Sequence, residues 1–255
     1  MTDTIIDFFK DKNKPLLLYT LVCFLGGFIC LVLSKYSNLQ VSGVSAWLKP
    51  FKFFISIGIF AFTMALYLTY LDNQKQITNY CWSFIIFLSI ELLMITIQAA
   101  RGRKSHYNIE TPLDRVIFAL MGLSITVILI HTIYITFLFF IQKQFSVSTE
   151  MILAIKLSLI MMVIFMLEGS LMIGISKHTI GAEDVTKGIP ALNWSKNYGD
   201  LRVAHFLGMH ALQIIPLLTF VLANTKKDVY VISVLYFAFV TFTLVQAWQG
   251  KPFIK

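Results

Sequence analysis

The sequence predicts an all-α polytopic membrane protein with seven transmembrane helices in one bundle, and three observations carry that expectation. Apolar residues fill 57% of the 255 positions, and charged residues only 13%, against about 25% charged in a soluble globular chain. Mean hydropathy is +0.76. The apolar residues also gather into separate windows of roughly 20 positions, the length that crosses a hydrocarbon core.

Taken in order, the windows are Leu16–Leu33, Phe53–Leu71, Tyr80–Ala100, Val116–Ile141, Met151–Ile175, Val203–Ala223 and Val229–Trp248. The first and second carry no charge. The third is interrupted only by Glu91, the fourth holds His131, and the fifth holds Lys156 and Glu168. The sixth holds His205 and His210. Lys10, Lys12 and Lys14 precede the first window in the manner of a signal peptide, but its length and the lack of a small-residue cleavage site mark it as a retained span. No loop reaches the length of an independent domain, so residues 1–255 read as a single integral membrane domain.

The net charge of +8 belongs to the loops. Disorder requires low hydrophobicity, and no basic cluster stands apart from the apolar runs, so neither a disordered chain nor a nucleic-acid binder is expected. Thirteen Lys and Arg lie in the first, third and fifth loops and the C-terminal tail, against seven on the opposite face. By the positive-inside rule the N-terminus is outside and the C-terminus cytoplasmic. Cys23, Cys30 and Cys81 are too few and too apolar in setting for a disulfide framework.

Ionisable groups within spans cost at least about 2.5–3.5 kcal/mol on insertion scales, so each needs a reason. At about 1.5 Å per residue, Glu91 lies about 13 Å from the third-loop end of its helix and Glu168 about 11 Å from the fifth-loop end of its own. His210 lies about 10 Å below the start of its helix. Helical spacing carries the stripe above Glu91 through Gln98 to Arg101, and sets Arg202, His205 and Gln213 on one side of the sixth helix. The adjoining loops add Ser105, His106 and Asn108 from the third, and Trp194, Ser195 and Asp200 from the fifth. Lys49 and Lys52 border the same face if the second helix packs nearby. Together these residues predict a polar cavity open to one side.

Simpler roles compete for several of them. Thr111-Pro-Leu-Asp114 reads as a helix cap with Pro at the first helical position, and Asp200 after Gly199 sits where an N-cap belongs. Lys156 lies near a helix end and snorkels. An interhelical hydrogen bond suits His131. Glu91 and Glu168 could serve only as hydrogen-bonding groups between helices.

Four strings resemble the hallmarks of a family of bacterial multi-pass membrane proteins. They are Trp47-Leu-Lys-Pro-Phe-Lys-Phe53, Gln98-Ala-Ala-Arg-Gly-Arg-Lys-Ser-His-Tyr-Asn108, Gly188-Ile-Pro-Ala-Leu-Asn-Trp-Ser195 and Gly199-Asp-Leu-Arg-Val-Ala-His-Phe-Leu-Gly-Met-His-Ala-Leu-Gln213. The resemblance spans nearly the whole chain and implies a bacterial inner-membrane protein with a shared site, without supplying that site's chemistry.

Three chemistries fit the set. In the first, a small anion or lipid headgroup binds or is transported among Arg101, Arg103, Arg202, Lys49 and Lys52, with Glu91, His210 and Gln213 below. In the second, His106, His205 and His210 hold a zinc-type metal, with Ser105 and Glu91 or Asp200 beside an activated water. That set faintly resembles the seven-span zinc amidases that act on ceramides. However, His205 and His210 are five residues apart and point about 140° away from each other on a regular helix, whereas that family sets its pair one turn apart. The third is a redox protein with histidine ligands to haem or a quinone. The lipid bilayer is the one partner that all three share.

Overall fold

The computed structural model describes residues 13–184, 188–190 and 192–254; Lys10, Lys12, Lys187, Ala191 and Lys255, which entered the charge count or the motif strings, lie outside the described residues. The described chain is helical apart from two short ladders. Its helices are α1 (Lys14–Tyr36), α2 (Leu48–Tyr67, continued as a 3-10 turn over Leu68–Tyr70), α3 (Gln74–Ala100), α4 (Pro112–Ile141), α5 (Thr149–Gly174), α6 (Arg202–Met209), α7 (Ala211–Leu222) and α8 (Lys226–Trp248). Six of these, α1 to α5 and α8, are long and apolar enough to cross a membrane, the pattern of a multi-pass membrane protein.

Each long helix begins before the apolar window that predicts it, and polar residues outside the window cap the starts of α3, α5 and α8. Asn73, Ser148 and Thr225 accept the backbone N–H of Gln76, Met151 and Asp228, and Thr225 with Asp228 completes a reciprocal capping box. The sixth window differs more. Instead of one helix over Val203–Ala223, α6 and α7 meet at a 50° bend. His210 sits at the joint with φ −75° and ψ −1°, a ψ too near zero for regular helix, and Pro216 removes a further rung from α7.

The chain divides into two compact units, Met1–His131 and Thr132–Lys255. In the first, α1 packs along α2, and Gly27 and Gly58 bring the two helices close: a Cβ at Gly58 would lie 2.7 Å from the Phe24 ring. Ile95 of α3 packs with Ile117 and Met121 of α4. His131 Nδ1 lies 2.6 Å from Ser83 Oγ, the interhelical bond its position suggests. Between α1 and α2, β1 (Gln40–Val41) and β2 (Val44–Ser45) pair antiparallel. Their two-residue turn holds Ser42 and Gly43 at positive φ, as a tight hairpin requires.

In the second unit, α5 packs on α6, α7 and α8 around a core of Ala154, Met161, Phe165, Ala204, Ala211, Ile215, Val229 and Val240. Gly208 lies so close to α5 that a Cβ would fall 2.0 Å from Phe165 Cγ. Lys156 Nζ lies over the Phe140 and Phe145 rings, 5.4 and 5.0 Å from their centroids. The loop before α6 is tied by β3 (Thr179–Ile180) and β4 (Gly199–Asp200), which pair Thr179 with Asp200.

Candidate functional site

In the first unit, the candidates sort into two clusters at the junction of α3, the 101–111 loop and α4. Asp114 is the centre of one. Gln98 Nε2 and Arg101 Nη1 each donate to its Oδ1 at 2.9 Å, and Arg103 Nη1 donates to Oδ2 at 2.7 Å. Thr111 Oγ1 donates to Oδ2 at 2.6 Å and accepts from the Asp114 N–H. Arg101 also donates to Gln98 Oε1 at 2.6 Å. The capping role of Thr111 is therefore present, but Asp114 carries a second one: its buried carboxylate gathers both arginines of the loop. Gln98 and Arg101 follow Asp114, not Glu91.

Glu91 is the centre of the other cluster. Its carboxyl is 1% exposed and places Oε1 3.7 Å from His106 Nε2, while Oε2 has no hydrogen-bond partner among the described residues. On the far side of the imidazole, Nδ1 lies 3.0 Å from Lys49 Nζ and 3.0 Å from Ser105 Oγ. Phe53, Tyr107 and Phe118 surround the ring, with centroids 5.8, 6.1 and 6.5 Å away. The loop is shaped to hold it there. Tyr107 adopts φ 58°, and Asn108 closes the turn by donating to the Lys104 carbonyl and accepting from the Glu110 N–H. Lys52 lies one turn along α2 from Lys49 and is half-buried.

Beside this loop is a shallow recess of about 210 Å³, lined by Gln40, Val41 and Ser42 of the hairpin and by Gly102, Arg103, Lys104, Asn108 and Glu110. Arg103 is shared between Asp114 and Glu110, the latter at 3.7 Å. Lys104 is exposed.

In the second unit, Asp200 anchors the loop that precedes α6. Arg202 grips it with two bonds, Nε to Oδ1 at 2.9 Å and Nη2 to Oδ2 at 2.6 Å, and the backbone N–H groups of Ser195 and Arg202 add two more. Burial by itself raises this carboxyl, but the Arg202 hydrogen bonds and charge, the nearby His178 and the Ser195 N–H outweigh it and hold the group below the ordinary aspartate range. Arg202 also donates to the Asn193 carbonyl. Ser195 Oγ accepts the Tyr198 N–H, and Trp194 packs edge-on against Phe206 and Phe253. Sequence reasoning passed over His178 and Asp184. Asp184 accepts the backbone N–H of His178 and Thr179 and lies 3.2 Å from His178 Nδ1. The two are six positions apart, and no periodicity connects them.

Glu168 of α5 and His205 of α6 form the second acid–imidazole contact, with His205 Nδ1 3.2 Å from Glu168 Oε2. The closer partner of Nδ1 is the Phe165 carbonyl at 2.7 Å, and neither Glu168 oxygen has a hydrogen-bond partner among the described residues. Gly169 makes the room, since a Cβ there would lie 2.7 Å from His205 Cε1. His210 turns elsewhere, with Nδ1 3.1 Å from Gln213 Oε1 and its ring 4.3 Å from that of Phe206.

The bend at His210 removes the regular-helix objection to a metal shared by His205 and His210, yet the two side chains engage different partners. Among the described residues, no group of three His, Cys, Asp or Glu side chains is placed to hold a metal ion. All five histidines have Nδ1 within 3.2 Å of a protein partner, which fixes their orientation without joining them. No family model, curated protein or solved structure matches the chain.

Proposed function

We propose that this chain is a seven-span membrane protein of the bacterial family its four strings resemble, binding or transporting a small anionic ligand or lipid headgroup at the face that carries most of its Lys and Arg. The bent pair α6–α7 makes the seventh span if it crosses as one. The excess of cations in the first, third and fifth loops favours a cytoplasmic C-terminus and an outside N-terminus.

One observation supports the binding reading over the metal and redox ones: the recess beside the 101–111 loop. Lys104 supplies positive charge to it, Arg103 lines it while paired with Asp114 and with Glu110 at the same rim, Ser42, Gln40 and Asn108 supply polar side chains, and the exposed apolar Leu39, Ile109 and Leu113 belong to the same stretches of chain. A phosphate attached to a glycerol backbone matches polar lining next to apolar surface. The assignment narrows the expected set of cations, because Arg101 and Arg202 are already bound to carboxylates.

The test is thermal unfolding of the detergent-solubilised protein with glycerol phosphate, against glycerol at matched ionic strength. Binding at a hundred times Kd stabilises by about 2.7 kcal/mol. Glycerol phosphate should raise the melting temperature, glycerol should not, and Lys104→Ala should remove the gain. No rise, or the same rise in Lys104→Ala, rejects this site.

A further inference from the structure

We infer that Lys49, His106 and Glu91 form a proton relay from the loop face to the buried carboxyl, with His106 held as its Nε2–H tautomer. The inference rests on hydrogen-bond polarity. A lysine ammonium has three donors and no acceptor, so His106 Nδ1, 3.0 Å from Lys49 Nζ, must present its lone pair. The proton of a neutral imidazole then sits on Nε2, which faces Glu91 Oε1 across 3.7 Å. Every donor along the line points the same way, from Lys49 through the ring to Glu91.

The surroundings favour relay over packing. Glu91 is 1% exposed, while the His106 side chain is 27% exposed, so the ring spans the boundary between the interior and the face. Phe53, Phe118 and Tyr107 collar it. Tyr107, which follows His106, is a non-glycine residue at positive φ, a conformation that persists only when the fold over-determines it. Arg101 and Arg103 are bound to Asp114, Lys104 and Glu110 line the recess, and Lys52 lies one turn from Lys49.

In the forward step the Lys49 Nζ–H bond breaks as an N–H bond forms at Nδ1, and the Nε2–H bond breaks as an O–H bond forms at Glu91 Oε1. Lys49 is left a neutral amine and Glu91 a neutral acid. The ring stays neutral in the opposite tautomer, and the amine regains a proton from the aqueous face. The 3.7 Å gap must close to about 2.7–3.2 Å for transfer, so the step requires a small inward movement of the ring.

The experiment is nitrogen-15 NMR of the full chain in micelles with labelled histidine, the His106 signals being assigned by their loss in His106→Gln. The expected wild-type result is a mainly Nε2–H tautomer with microsecond-to-millisecond exchange broadening from the second tautomer. In Glu91→Gln, whose amide oxygen accepts a hydrogen bond but takes no proton, the broadening should be lost while the Nε2–H tautomer remains. A wild-type ring protonated on Nδ1 overturns the relay, as does a sharp single-tautomer signal or broadening that survives in Glu91→Gln. The recess is tested separately through Lys104, so either idea can fail alone.

Discussion

Both units of this chain press an imidazole against a buried glutamate inside the helices, and the two pairs differ in what the other acceptors and donors leave them. In the first unit, Lys49 occupies His106 Nδ1, so the ring turns a donor toward Glu91. In the second, the Phe165 carbonyl occupies His205 Nδ1. A carbonyl only accepts, so His205 carries its proton on Nδ1 and leaves Nε2 as the acceptor, while both Glu168 oxygens go without a donor. The same two residue types therefore face each other donor to acceptor across 3.7 Å in one unit and meet at 3.2 Å without a hydrogen bond in the other. Tautomer, not residue identity, sets the chemistry available to a histidine.

The buried aspartates give the same contrast in firmer form, and their removal should have the largest effect. Asp200→Ala strips Arg202 of both of its bonds to that side chain and should destabilise the second unit by about 3–5 kcal/mol, the usual result of breaking a buried pair. Unfolding in detergent measures it. Because the Asp200 carboxyl is held below the ordinary aspartate range, its stabilisation is complete above that range and fades as pH falls through the lowered value. Asp200→Ala should flatten this acid limb of the stability profile, and an unchanged limb would show that the Asp200 carboxyl does not produce it.

The next effect in size has the opposite sign. Glu168→Leu removes a carboxyl that has no donor and should stabilise by about 1–3 kcal/mol; Glu91→Leu should gain less, because it breaks the His106 contact. Equal gains in the two melting temperatures would erase the distinction drawn between the pairs. The smallest expected change is Ser83→Ala, which removes the bond to His131. Interhelical hydrogen bonds in membranes average about 0.6 kcal/mol, and a loss well above 1 kcal/mol would mean that His131 does more than join α3 to α4.

Much of this was legible in the chain. The apolar windows identify every long helix, because a span must be apolar over a fixed length whatever it packs against. Thr111 with Asp114 reads as a cap for the same local reason. Glu91, Glu168, His131, His205 and His210 stand out as ionisable groups inside apolar windows, where they are rare enough to flag themselves.

Partnership was not legible, since it depends on contacts between residues distant in sequence. Helical spacing groups Gln98 and Arg101 with Glu91, but the fold turns both onto Asp114. The sixth window reads as one helix, but the backbone of His210 breaks it in two. Composition and periodicity thus determine where the helices run and which polar residues lie among them, since both are local properties of the chain in lipid. Only the tertiary structure decides which donor meets which acceptor. For His106 and His205 that choice turns on one neighbouring atom each, the Lys49 ammonium and the Phe165 carbonyl oxygen.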